Sequence, residues 1–194
     1  MKLLLLDNYD SFTFNLLHYL EQHDNVDVAV FRNDKIDLDQ VEKYDAIVLS
    51  PGSGLPKDAG IMLSVIKKYA PTKYIFGVCL GMQAIVESFG GTLKNLENVM
   101  HGVSRKTIIT DRQNLLYKGL DEIFLCGRYH SWVADEKTLP ACLKVTATDA
   151  ANNIMSVQHS EYNTCGVQYH PESILTENGL QIITNWINIT VKVS

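Results

Sequence analysis

The stretch that decides the fold is KYIFGVCLGMQ, residues 73–83. Its apolar part, Tyr74–Val78, predicts a buried strand, and residues 82–89 (MQAIVESF) are typical of a helix. Between them lies a Gly-x-Cys-x-Gly frame, the cysteine form of a nucleophile elbow, in which small residues allow a sharp strand-to-helix turn. Such a turn puts the sulfur of Cys79 at a helix N-terminus, where the helix dipole and backbone N–H groups favour the thiolate.

The chain before this elbow alternates strands with helices. Continuous apolar or alternating runs predict strands at 2–6, 26–31 and 46–49, and helical spacing predicts helices from Phe12 and over 58–69, with a short one at 37–43. Phe12, Leu16, Tyr19 and Leu20 are expected to face the core. This alternation predicts an α/β fold of three layers, with a mostly parallel central sheet and helices on both faces.

Function in such sheets lies at the carboxyl ends of the strands. Two loops, residues 7–11 and 51–56, follow strand ends in the same way as Cys79. They are therefore expected to meet Cys79 at one edge of the sheet.

The second half changes character. Short strands joined by turns are predicted at 106–110, 122–125, 143–148, 154–158 and 166–169, which is typical of a smaller antiparallel region. A last helix is expected over 179–190, with Leu180, Ile183, Trp186 and Ile187 on one face. Neither a linker nor a repeat interrupts the chain, so residues 1–194 are expected to form a single domain.

The composition excludes several classes of function. The chain has 194 residues, a formal net charge of −5 and no run of Lys or Arg, so nucleic-acid binding is not expected. The first apolar run stops at Asp7, too short for a signal peptide, and no stretch is long enough for a membrane span. The four cysteines lack metal-site spacing, so we expect no metal, no cofactor and a reducing, cytoplasmic location.

A cysteine nucleophile needs a base, and the base needs a group that orients it. His170 ends a predicted strand and is followed by Pro171 and Glu172, so one short turn could supply both base and orienting carboxylate. Each feature has a plainer explanation, since a lone cysteine is usually a small buried apolar residue and a strand-end histidine is usually structural. Together they predict a Cys79–His170–Glu172 site.

The loop at residues 51–56 could supply the backbone N–H groups that stabilise negative charge during the reaction. Acyl transfer passes through an oxyanion that backbone N–H groups can hold. One donor would be the N–H of Leu80, directly after the nucleophile, and a second would be that of Gly52. The alternative is that this loop, with two prolines and two glycines, is only a tight connection.

Five blocks of the sequence together resemble the class I, or triad, glutamine amidotransferases. They are residues 7–12 (DNYDSF), 50–56 (SPGSGLP), 77–83 (GVCLGMQ), 128–131 (RYHS) and 170–176 (HPESILT). Within that class they are similar to the small subunits of anthranilate synthase and aminodeoxychorismate synthase. The blocks follow one another over nearly the whole chain, which makes the resemblance far more specific than the elbow alone.

The resemblance implies that the protein hydrolyses L-glutamine to glutamate and ammonia and passes the ammonia to a chorismate-binding synthase large subunit in a heteromeric complex. It implies Cys79 as nucleophile, His170 as base, Glu172 as orienting group, and the N–H groups of Gly52 and Leu80 as oxyanion hole. Glutamine binding would fall to Gly52, Ser53, Gly54, Gln83, Ser131 and Trp132. Residues 7–12 are expected near the partner.

Two positions depart from the family pattern. Ser53 stands where a proline is usual, which leaves the loop less rigid, and Met82 stands where a histidine is common, which is expected to change packing only. Three alternatives stay open: a class I amidotransferase serving a different acceptor synthetase, a non-catalytic regulatory relative, and a cysteine peptidase-like hydrolase.

Overall fold

The computed structural model describes residues 1–96 and 100–191. Its strands are β1 (Lys2–Asn8), β2 (Asp27–Arg32), β3 (Ala46–Gly52), β4 (Tyr74–Val78), β5 (Leu93–Asn95), β6 (Val103–Ile109), β7 (Ile123–Arg128), β8 (Trp132–Ala134), β9 (Leu143–Thr148), β10 (Ile154–His159) and β11 (Thr164–Val167). Its helices are α1 (Thr13–Leu20), α2 (Met62–Tyr69), α3 (Leu80–Ser88) and α4 (Gly179–Val191).

One large sheet organises the molecule. Nine strands pair in the order β2-β1-β3-β4-β11-β10-β9-β6-β7, and the first five of them are mutually parallel. The remaining pairs, from β11–β10 to β6–β7, are antiparallel. This arrangement confirms the predicted α/β fold with its antiparallel region.

The helices cover both faces of the sheet, as the apolar runs of its strands require. Along β1 the side chains alternate, so that Leu3 and Leu5 belong to one apolar cluster while Leu4 and Leu6 belong to another. The first cluster contains buried residues of α1 and α4, and the second contains those of α2 and α3. The predicted three layers are therefore present.

The sequence placed β11 in the antiparallel region, and this was wrong in one respect. β11 pairs antiparallel with β10, but it lies parallel to β4 on its other side, with Val167 opposite Val78. The strand that leads to His170 is thus the direct neighbour of the strand that leads to Cys79. Two further short strands, β5 and β8, form a separate antiparallel pair that the sequence did not reveal.

Several helix predictions need correction. The helix expected over 58–69 begins only at Met62, because Pro56–Asp58 form a 3-10 turn and Gly60 adopts a φ of +52° against the backbone of Asn33. The short helix expected at 37–43 is a 3-10 helix, Leu38–Lys43.

Two side chains expected to face the core are not fully buried there. Tyr19 is only half-buried at the edge of the core, and Phe12 packs instead on Tyr129 and His170. Leu180, expected on one face with Ile183, Trp186 and Ile187, is 37% exposed, whereas those three side chains are buried.

Candidate active site

The turn at Cys79 is sharp and strained. Cys79 has a φ of 51° and a ψ of −101°, a backbone conformation that L residues rarely adopt and that costs on the order of 1–3 kcal/mol. The surrounding structure holds it there: its N–H donates to Val167 O of β11 at 2.8 Å, and its carbonyl accepts from the N–H of Gln83 at 3.0 Å. A strained nucleophile position of this kind is typical of an elbow.

The two glycines of the elbow are required by close packing. A Cβ at Gly77 would lie 2.5 Å from the carbonyl carbon of Gly81, and a Cβ at Gly81 would lie 2.6 Å from Leu49 O of β3. Because both contacts are with backbone, neither can relax cheaply. The Gly-x-Cys-x-Gly frame therefore lets β4 turn into α3 directly beside β3.

His170 and Glu172 form a buried pair beside this turn. His170 Nδ1 lies 2.8 Å from Glu172 Oε1, and both side chains are almost completely buried. The backbone around His170 is fixed as well, since its N–H donates to Gly127 O at 3.0 Å and its carbonyl accepts from Thr176 Oγ1 at 2.5 Å. The His-Pro-Glu turn thus brings the two side chains together as the sequence predicted.

The pKa of His170 depends on both Cys79 and Glu172. Burial opposes charge on the ring, but the nearby Cys79 sulfur, followed by the hydrogen bond and charge of Glu172, raises the pKa of His170 well above its ordinary value of 6.5. Burial also raises the pKa of Glu172, while its hydrogen bond to His170 opposes that rise. Among the described residues, His170 Nε2 has no partner that meets hydrogen-bond geometry, so this nitrogen is available for proton transfer.

Two aromatic rings enclose His170. The ring of Tyr129 lies 4.7 Å from the imidazole and that of Phe12 lies 5.2 Å from it, both in edge-to-face arrangements, and the two aromatic rings are 4.9 Å apart. The hydroxyl of Tyr129 lies 3.0 Å from Ser173 Oγ, which ties this ring to the turn after Glu172. Sequence reasoning missed both rings as parts of the site.

A pocket of about 240 Å³ opens above the sulfur. Its lining includes Cys79 and all six residues expected to bind glutamine, namely Gly52, Ser53, Gly54, Gln83, Ser131 and Trp132, together with Tyr129 and His130. The Gln83 amide nitrogen donates to Trp132 O at 2.9 Å, which joins α3 to β8 across the pocket. The structure thus gathers these residues around one cavity, although three separate segments supply them.

The two residues expected to form an oxyanion hole also lie together. A Cβ at Gly52 would be 2.7 Å from Leu80 Cδ2, so the 51–56 loop lies directly against the start of α3. As the first residue of α3, Leu80 has a backbone N–H without an acceptor inside the helix. Asn8 completes this edge, because its amide donates to Ser50 O at 2.8 Å and its backbone N–H donates to Ser50 Oγ at 2.8 Å. The expected meeting of these strand ends is confirmed.

His130 and Gln168 belong to this region too, and sequence reasoning did not assign them a role. His130 is buried in the pocket wall, and burial, followed by the positive charges of Arg128 and His170, lowers its pKa to about 4. Gln168 is fully buried, with its amide nitrogen 3.6 Å from Cys79 Sγ. The period of two along a strand could have indicated Gln168, since it lies two residues before His170.

Met82 fits the expectation of a packing role. Its side chain is fully buried in the α2–α3 layer, and it fills the space beside Gly166 of β11, where a Cβ would meet it at 2.9 Å. Ser53, the other departure, is exposed on the pocket rim.

Within residues 1–96 and 100–191, no group of three side chains is placed to hold a metal ion. None of the helices in the described part of the chain combines the length and apolar character needed to cross a membrane.

Comparisons with known proteins find relatives over nearly the whole chain. The chain is 41% identical over 187 residues to a Bacillus subtilis protein named aminodeoxychorismate/anthranilate synthase component 2, covering 95% of each chain. It is 39% identical over 191 residues to the bifunctional protein TrpGD of Thermotoga maritima, covering 97% of this chain but 32% of that longer protein. A solved Thermoplasma acidophilum protein, described as a candidate subunit of GMP synthase, shares the fold with a TM-score of 0.87, 24% identity and coverage of 100% and 95%.

The family model described as glutamine amidotransferase class-I matches residues 4–189, nearly the whole length of the chain. This chain belongs to the class I glutamine amidotransferase family.

Proposed function

We propose that this protein hydrolyses the side-chain amide of L-glutamine to glutamate and ammonia with Cys79, His170 and Glu172, and delivers the ammonia to a chorismate-aminating synthase subunit. The observation that carries the proposal is the buried 2.8 Å contact between His170 Nδ1 and Glu172 Oε1 beside the strained elbow of Cys79. It supports a base that is held in one orientation next to an activated nucleophile.

The first half of the reaction forms a thioester. His170 Nε2 takes the proton of the Cys79 thiol, and the sulfur attacks the amide carbon of glutamine to give a tetrahedral oxyanion. As this intermediate collapses, the C–N bond breaks and His170 returns the proton to the leaving nitrogen, which departs as ammonia. Glu172 accepts the hydrogen bond from Nδ1–H throughout and stabilises the imidazolium.

The second half releases glutamate. His170 removes a proton from water, and the resulting hydroxide attacks the thioester carbon to form a second oxyanion. The C–S bond then breaks, and Cys79 leaves as a thiolate that recovers its proton from His170. The N–H groups of Gly52 and Leu80 hold both oxyanions, a role consistent with the close contact between these two residues.

The pocket supplies a binding site of suitable size and polarity for glutamine. Gly52, Ser53 and Gly54 offer backbone groups on one side, and Gln83, Ser131 and Trp132 offer side-chain and backbone groups on the other. A polar substrate with an amide and two charged α-groups requires several such partners at fixed positions. We therefore assign glutamine binding to these six residues.

The relatives support the choice of acceptor. The Bacillus subtilis relative is named as component 2 of an aminodeoxychorismate/anthranilate synthase, which supports a partnership of this chain with a larger synthase component. Ammonia that is released into water becomes protonated and loses its reactivity. We therefore expect it to pass directly to the second enzyme, within a heteromer of this chain and a chorismate-binding synthase large subunit.

A glutaminase assay in the presence of such a synthase partner tests the proposal. We expect ammonia production by the wild type and its loss, by at least about 10³-fold, in Cys79→Ser. Cys142→Ser is the matched control, because Cys142 is a half-buried free cysteine outside the pocket. Ammonia production that survives in Cys79→Ser would contradict the mechanism, and activation only by a synthase for another acceptor would contradict the chorismate assignment.

A further inference from the structure

Gln168 lies directly under the nucleophile. It follows β11, its side chain has no exposed surface, and its backbone N–H donates to Met155 O at 2.9 Å. Its amide nitrogen Nε2 donates to Cys79 Sγ at 3.6 Å, a long contact that the large, weakly accepting sulfur atom allows. Tyr169 next to it belongs to the apolar core, while His170, one further residue along, returns to the side of Cys79.

The hydrogen-bond network determines which end of the Gln168 amide meets the sulfur. The Gln83 side-chain atom 2.9 Å from Trp132 O must be the nitrogen, because a carbonyl oxygen only accepts. The same nitrogen lies 3.2 Å from the other end of the Gln168 amide, which must then be the oxygen Oε1. The atom that faces Cys79 is therefore an NH₂ group, a donor.

We propose that Gln168 is a further catalytic residue, whose amide N–H donates to Cys79 Sγ and stabilises the thiolate that attacks the substrate. The inference rests on the proposed role of Cys79 as the nucleophile. A thiolate is a far better acceptor than a thiol, so a fixed donor at this position favours the ionised form. Gln83 holds the Gln168 amide in place by donating a hydrogen bond to its oxygen. Because Gln83 also lines the pocket, a substrate that contacts Gln83 is connected to Gln168 through this hydrogen bond.

This role differs from that of His170. The imidazole exchanges a proton with the sulfur, whereas the carboxamide of Gln168 cannot ionise and keeps its hydrogen throughout the cycle. Its hydrogen bond is strong while the sulfur is anionic and weak in the thioester. It therefore stabilises Cys79 both before attack and as the leaving group when the thioester is hydrolysed.

The pH dependence of Cys79 alkylation by iodoacetamide tests this proposal, with the modified peptide quantified by mass spectrometry to separate Cys79 from the other three cysteines. In Gln168→Met, which keeps the volume but removes the donor, we expect the midpoint of the rate–pH profile to rise by about one pH unit. The rate at neutral pH should fall about tenfold. Gln158→Met is the matched control, because the Gln158 amide donates to backbone carbonyls of His159 and Thr164 and should leave the profile unchanged.

Gln168→Glu provides a second variant of nearly the same shape. It keeps an acceptor for Gln83 but places a carboxylate against the sulfur, so the midpoint should rise further than in Gln168→Met. An unchanged midpoint in either folded variant would overturn the proposal. Because the assay needs no glutamine turnover, a wild-type Cys79 that lacks pH-dependent reactivity would instead contradict the proposed nucleophile.

Discussion

The side chains grouped around Cys79 come from residues that are distant from it in the sequence. The thiol lies directly before α3, His170 and Glu172 follow β11, and the glycine loop begins with the last two residues of β3. Parallel pairing of β3, β4 and β11 brings these strand ends together. The order of the strands in the sheet therefore determines which side chains lie beside Cys79.

Replacement of Glu172 by Gln tests the orienting role of the carboxylate. The amide can present its NH₂ to His170 Nδ1 and so favour the wrong tautomer of the imidazole. By analogy with other triads we expect kcat to fall about 10²- to 10⁴-fold while KM stays within about threefold. Steady-state glutaminase kinetics in the presence of the synthase partner measure both constants.

Glu177→Gln is the control for this substitution. Its carboxylate also accepts a hydrogen bond, from the N–H of Leu125, but it is exposed and does not contact His170. A Glu172→Gln enzyme with wild-type kcat would contradict the orienting role.

His130 makes the stability of the fold depend on pH. Burial, followed by the charges of Arg128 and His170, lowers its pKa from 6.5 to about 4. Between these values the unfolded chain binds a proton that the folded chain does not, so stability falls as the pH falls through this window. From about pH 7.5 to about pH 5, we expect the wild type to lose about 2 kcal/mol more unfolding free energy than His130→Leu.

Urea denaturation of both proteins at the two pH values provides this comparison. For each protein, the unfolding free energy at one pH is subtracted from that at the other. The effect of the His130→Leu substitution on packing is the same at both pH values, so it cancels in this difference. Equal losses in the two proteins would mean that His130 titrates normally in the fold.

The sequence allowed the grouping of Cys79, His170, Glu172 and the glycine loop to be predicted, but not the residues that enclose them. His-Pro-Glu is a local pattern, so its geometry follows from the chain itself. Phe12 was assigned to the core from helical spacing alone, but it precedes α1 and lies at the sheet edge beside His170. The lowered pKa of His130 arises from tertiary burial, which no local pattern records.

At the scale of elements, the elbow depends on the close approach of β4, α3 and β3. A methyl group at position 77 would collide with the backbone of Gly81, so Gly77→Ala should lower the free energy of unfolding by about 3 kcal/mol. Gly119→Ala is the comparison, because its Cβ meets open space and only its φ of +84° is unfavourable. There we expect a loss of about 1 kcal/mol.

Chemical denaturation monitored by circular dichroism measures both losses. Similar values for the two variants would show that the elbow tolerates a side chain at position 77 and that its packing is looser than the distances indicate.

The elements of the parallel half were predictable because their apolar runs are continuous. Residues 2–6 and 46–49 have no polar face, and this pattern is typical of strands covered on both sides. The strands β5 and β8 escaped prediction because three residues are too few to show a period. The parallel pairing of β11 with β4 was not predictable from the turn residues around β11. Those residues indicate how β11 connects to the strand before it in the sequence, but not which strand lies beside it in the sheet.

At the scale of the whole molecule, two exposed apolar side chains are close in sequence to residues of the candidate site. Ile174 is 98% exposed two residues after Glu172, and Phe14 is 66% exposed two residues after Phe12. Exposed apolar side chains of this kind are typical of a surface that a partner protein covers. We propose that a synthase partner binds here.

Ile174→Asp tests that placement. A charge at this position should raise the Kd for the synthase partner by at least about tenfold, because it would be buried without a counter-charge in the complex. Isothermal titration calorimetry measures the affinity. Leu115→Asp serves as control. Leu115 is 59% exposed and lies in the connection between β6 and β7, which joins β7 at the end opposite Arg128.

Unchanged affinity in Ile174→Asp would place the partner elsewhere. An equal loss in Leu115→Asp would indicate a general effect on the protein rather than a docking site at the triad.

Formation of a covalent glutamyl thioester on Cys79 is the step on which the proposed chemistry depends, and an acid-quench experiment detects it. The protein and its synthase partner are mixed with radiolabelled glutamine, quenched in acid during steady-state turnover and digested for peptide mapping. We expect a label on the Cys79 peptide that is absent in Cys79→Ser and that accumulates in Glu172→Gln if deacylation is the slower step. Turnover with no label, or a label on Cys126, Cys142 or Cys165, would contradict the thioester mechanism.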